Sequence, residues 1–143
     1  MKLSFTNRDL PGLAALLDTL ELPPTPSRAR THLLGALSAH LEVFSRDEYD
    51  LVRHYAQLGE DATPQVNADG TVSLKNPDQA SEFHTEHDQL LSEEVTVEFT
   101  TDRAALLLDA LAASSQCFAG QTARALDVLA TSLERASDKV VDR

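Results

Sequence analysis

The sequence predicts an α+β fold that is mainly α-helical: a helical bundle with a small inserted antiparallel β-sheet. Three observations carry that expectation. Apolar side chains recur at alternating spacings of three and four over 34–58 and again over 122–140, the period of helices that bury one stripe. Three short stretches, 3–6, 66–74 and 95–99, alternate apolar and polar side chains, the period of half-buried strands. A chain of 143 residues with 42% hydrophobic content supplies one core, so a single domain over 1–143 is expected.

Each element has a local reason. Leu3 and Phe5 alternate with Ser4 and Thr6 and predict a first strand. Asn7 or Asp9 can cap the helix in which Leu10, Leu13, Leu16, Leu17 and Leu20 recur, because a short polar side chain accepts from an unpaired N–H of the first turn. Pro23, Pro24 and Pro26 end that helix and stiffen the connector. Thr25 and Pro26 then read as N-cap and first helical position of the longest helix. Its stripe runs through Leu34, Leu37, Leu41, Phe44, Glu48, Leu51, Tyr55 and Leu58, with Glu48 the one discord, and Gly59 marks the stop. The stripe spans about 37 Å at 1.5 Å per residue. It suits either a bundle interior or a dimer seam.

Beyond an acidic loop with Pro64, Asp69-Gly70 lies between Val66/Ala68 and Val72/Leu74, a hairpin signal. Asn76, Pro77 and Gln79 open a further helix as cap, first position and capping-box partner. Ala80, Phe83, His87 and Leu90 form its inner seam, and Glu82, Glu86 and Glu93 lie on another face. Val95, Val97 and Phe99 predict a strand. Thr101 or Asp102 caps a helix holding Leu107, Leu108 and Leu111. Ser114, Ser115 and Gly120 break it before a last helix with the seam Thr122, Leu126, Leu129, Leu133, Ala136 and Val140. The two long helices are expected to pack together.

The charge is uneven. Of a net −11, residues 59–100 hold −9, with Lys75 as their one base, and the helical ends 1–58 and 101–143 hold −1 each. An acidic α/β insert over 59–100 between helical ends is therefore expected. Its sign excludes a direct nucleic-acid binder held by a basic patch. One Cys excludes a disulfide framework or a multi-Cys zinc site, and Cys117 is expected to be buried and inert. No secretory, lipidation or membrane-spanning segment stands out, so a soluble cytoplasmic protein is expected.

Motifs for chemistry are sparse. His84 and His87 are three apart among Glu86 and Asp88. The helical zinc signature needs His at i and i+4, so a divalent ion would need His32, His40 or His54 to approach. Asn67, Asp69 and Gly70 match part of a calcium loop, but Gln65 and Asn76 stand where its first and last carboxylates belong. The five glycines are isolated, which excludes phosphate-cradling loops. With no catalytic motif, the expectation is a protein without enzymatic activity, metal or cofactor. Arg28 and Arg30 occupy the first turn of the long helix, where cations oppose the helix dipole. They call for acidic partners, which the middle segment can supply, or for an external anion.

Ser27-Arg28-Ala29-Arg30-Thr31 opening a long helix, Leu51 with Tyr55 near its end, an acidic loop, Gly70 in a turn, and Phe83 in a helix leading to Leu90-Leu91-Ser92-Glu93-Glu94-Val95 together carry a resemblance. The chain resembles an uncharacterised family of small proteins encoded by phages and prophages of Gram-positive bacteria. The resemblance covers most of the chain, best over 27–99. It implies a phage or prophage gene context and assigns no activity. The expected function is that of a phage accessory or structural-assembly protein working through protein contacts, a phage structural protein among the partners, or through a homo-oligomer. The alternative is an acidic mimic of nucleic acid that occupies a basic host or phage protein. Arg28, Arg30, Glu82, Glu86 and Glu93 are the candidate interaction residues.

Overall fold

The structure, a computed structural model, describes residues 1–141, and side chains up to Asp138. In chain order it comprises β1 (Lys2–Thr6), α1 (Leu10–Thr19), α2 (Pro24–Tyr55), α3 (Ala80–Ser92), β2 (Glu94–Glu98), α4 (Thr101–Ala113) and α5 (Gly120–Val141). Turns of 3₁₀ helix at Asn7–Asp9 and Pro77–Gln79 lead into α1 and α3. The expected mainly helical α+β architecture is what forms, with one small antiparallel sheet. The chain gathers into two compact units, 1–41 with 94–143, and 42–93. The division falls inside α2.

In the first unit β1 and β2 pair antiparallel, Leu3 opposite Val97 and Phe5 opposite Val95. The Met1 ammonium donates to the Phe99 carbonyl at 3.0 Å and holds the end of the ribbon. Inward alternation buries Leu3, Phe5 and Val97. Leu10, Leu13, Leu16 and Leu17 of α1, Leu33 and Leu37 of α2, Leu107 of α4, and Leu129 and Leu133 of α5 complete this core. Each such leucine contributes about 1.5–3 kcal/mol of transfer free energy. Among the described residues α5 packs chiefly on α1, α4 and β1. Its approach to α1 is close. Gly12 faces α5, where a Cβ would stand 3.4 Å from Gln121 Cγ and 3.6 Å from the Ala125 Cβ. The expected seam of α5 is buried at Leu129, Leu133 and Ala136, joined by Ala125. Val140 lies outside the residues whose side chains are described.

Helix ends depart from expectation where a partner from elsewhere replaces a local cap. Asp9 takes the N-cap position of α1 without a capping bond; its carboxylate accepts from the Thr6 hydroxyl at 3.0 Å instead. The long helix opens at Pro24 rather than Pro26, and its first bond runs from the Ser27 N–H to the Pro23 carbonyl. Both prolines fit, because the first turn has no acceptor for an N–H. Thr100, one residue before the expected cap, accepts from the Arg103 N–H and starts α4. Asn76 caps as expected, accepting from the Asp78 N–H at 3.0 Å.

In the second unit α2 ends at Tyr55, short of Leu58 and Gly59. Ala56 and Leu58 leave the helix to form single antiparallel bridges with Leu74 and Pro64. The Gln57 N–H donates to Ser73 and the Gln57 carbonyl accepts from Gln65. The expected hairpin is present as a Val66–Val72 bridge closed by Asp69-Gly70, with Gly70 at φ +84°, a conformation that favours glycine.

Candidate functional site

In the second unit, helical spacing on α2 and α3 brings Glu48, Tyr55, Phe83 and His87 together. The Phe83 ring stands edge-on to Tyr55, with centroids 5.6 Å apart, and stacks on His87 at 5.7 Å. Glu48, the discord in the apolar stripe, has its counterpart here: Glu48 Oε2 lies 3.0 Å from His87 Nε2. Where the carboxylate is ionised it can only accept, and Nε2 then carries the proton. Both side chains keep partial solvent access, which limits the pair to about 0.2–1 kcal/mol. Burial, a hydrogen bond to Glu86, and the negative charges of Glu82 and Glu86 push the Tyr55 phenol up to about 12. The cluster thus joins a neutral phenol, a histidine and carboxylates on an aromatic floor.

His84 is exposed and reaches Phe83 rather than His87. Among the described residues, no three His, Cys, Asp or Glu side chains are grouped to hold a metal ion. Glu82, Glu86 and Glu93 are exposed. Asp69 accepts from the Thr71 hydroxyl at 2.6 Å and from its N–H, and these bonds hold its carboxyl below the usual carboxylate range. Asp61 is held low in the same way, by the hydroxyl and N–H of Thr63.

A cavity of about 270 Å³ lies against the same unit, lined by Val52 and Ala56, by Thr71, Val72 and Leu74, and by Phe83 and His84. Sequence reasoning did not find it. Its walls come from segments brought together by the Ala56–Leu74 bridge and by backbone bonds such as Gln57 N–H to the Ser73 carbonyl. The surviving signal was the period-two pattern Val66, Val72, Leu74, which marks one apolar face.

Arg28 and Arg30 sit in the first unit. Arg30 does not take a carboxylate partner. Its guanidinium donates to the Leu17 and Leu20 carbonyls at 2.9 and 2.8 Å and to the Ser27 hydroxyl at 2.8 Å. The counter-charge is the negative end of α1, whose last carbonyls lack intrahelical donors. Thr19 Oγ1 serves the Leu16 carbonyl, and Gln116 Nε2 serves that of Thr19 at 3.0 Å. Arg28 is exposed. Cys117, expected to be buried, is exposed as well, because it lies in the open connector between α4 and α5.

The geometry is accompanied by a family match: the model of a family described as a protein of unknown function, DUF1617, matches residues 1–139. The chain belongs to the DUF1617 family. No curated protein and no solved structure matches it. The match covers nearly the whole chain and so takes in both units. Among the described residues no helix is long and apolar enough to cross a membrane.

Proposed function

We propose that this DUF1617 protein acts by binding another protein, as a phage or prophage accessory or structural-assembly component. The observation that carries this reading is the segregation of charge. Residues 42–93 hold twelve acidic and three basic side chains, while the rest of the chain is close to neutral. Glu82, Glu86 and Glu93 are exposed. Such a surface steers basic partners and sets the speed and specificity of encounter. The resemblance of 27–99 to phage-encoded proteins supports the gene context. Light scattering of the full chain, followed by pull-down against the structural proteins of a phage carrying the gene, tests it. An oligomer or a captured structural protein is expected. A strict monomer that retains none overturns it.

The same charge favours a second reading, mimicry of nucleic acid to occupy a basic protein. Reversing Glu82, Glu86 and Glu93 to Lys then abolishes salt-sensitive binding to that protein. Unchanged binding at low salt sinks this reading.

A further inference from the structure

We propose that the second unit carries a docking site for a basic amphipathic peptide segment of a protein partner. One bulky apolar side chain of that segment enters the cavity walled by Val52, Ala56, Val72, Leu74 and Phe83. This inference rests on the protein-binding reading above and deepens it by naming the anchor.

Residues opposed in an antiparallel bridge, and residues two apart on one strand, share a face. Ala56 opposes Leu74, and Val66 opposes Val72. The four side chains therefore line one face of the bridged segments. Ala56, Val72 and Leu74 line the cavity directly. Val66 extends that face into solvent and is 68% exposed. The described large apolar residues that stand exposed in this unit are Val43, Tyr49 and Val66, in a segment otherwise rich in charge. Of these, Val66 opposes the lining residue Val72 and so continues the cavity's apolar wall at the surface.

Size and charge then select the occupant. Cofactor and ligand pockets run from about 300 to 1,000 Å³. At about 270 Å³ this cavity suits a single anchor side chain, of the kind that dominates protein interfaces. Carboxylates stand close to two of its lining residues. Asp69 is bonded to the lining residue Thr71, and its lowered pKa keeps it ionised. Glu82 and Glu86 reach Tyr55, whose ring meets the lining Phe83. An apolar anchor with neighbouring cations is the complement of this surface, and an acidic segment is not.

The chain contains no Trp, so a peptide Trp reports its own surroundings. The test uses the full chain and two synthetic helical peptides of Lys and Leu, one with a single central Trp and the other with Ala there. Binding of the Trp peptide with a blue-shifted emission is expected, with the Ala peptide weaker by about tenfold or more. Val72→Phe, which fills the cavity, should abolish the blue shift. Val66→Ser, at an exposed position, should weaken binding several-fold with unchanged circular dichroism. Equal, salt-sensitive binding of both peptides without a blue shift overturns the cavity and leaves the acidic surface standing. No binding of either peptide at low salt overturns both readings.

Discussion

Two side chains show how single residues carry structure here. Arg30 answers two carbonyls at the end of α1 from a position ten to thirteen residues away. A charged hydrogen bond of this kind is worth about 1.5–3 kcal/mol. Arg30→Met should therefore lower the unfolding free energy by about 1.5–3 kcal/mol in urea titrations. Arg28→Ala, on the same turn but exposed, should change it by less than about 0.5 kcal/mol. Tyr55 makes a pH prediction. Folding favours its neutral form, since its pKa is about 12 in the fold against 10.0 ordinarily. Its contribution is fully present below pH 10 and is lost as pH rises through about 12. In a Tyr49→Phe background, where Tyr55 is the one remaining tyrosine, absorbance at the phenolate band should show a midpoint near 12. A midpoint near 10 would show that the carboxylates and burial do not act on it.

At the scale of elements, α1 and α5 cross closely at one small residue. A methyl group at Gly12 meets only ordinary contact distances, 3.4 Å and 3.6 Å. Gly12→Ala should thus be neutral or stabilising by up to about 0.5 kcal/mol. Gly12→Leu forces the helices apart and should cost about 1–3 kcal/mol, read as a drop in the thermal midpoint. This crossing also explains what the sequence left unread. The stripes at Leu37 and Phe44 and at Leu129 and Leu133 were legible because burial imposes a period. Which stripes meet was not, because Gly12 gives no periodic signal. Helix ends were legible where the cap is local, as at Asn76. They were misplaced where the partner is distant, as at Tyr55, where strand-like bridges to Leu74 and Pro64 replace further helical turns. In the candidate site, Glu48 and His87 were each visible as polar residues on an apolar seam. Their pairing across 39 residues was not.

At the scale of the whole molecule, apolar burial and charge are divided oppositely between the two units. The largest fully buried side chains, Leu3 through Leu133, all belong to 1–41 or 94–143. Residues 42–93 have Phe44, Tyr55, Ala56 and Leu90 as their buried apolar positions among those described, while bearing −9 of the −11. Less burial lowers the free energy needed to open a segment locally, and self-repulsion lowers it further. The acidic unit should therefore open before the leucine core does. Native-state hydrogen exchange should show amides of 80–92 opening at lower free energy than those of 10–17 and 125–136. Salt decides between the two causes. The screening length falls from about 30 Å at 0.01 M to about 10 Å at 0.1 M, so added NaCl should slow exchange in 80–92 and leave the leucine-lined helices unchanged. If sparse burial alone were responsible, protection in 80–92 would be low at both salt concentrations. Uniform protection along the chain would mean that the two units share one cooperative transition. On the proposed docking reading, 80–92 should also gain protection when a basic peptide binds, because ligation stabilises the closed form by mass action.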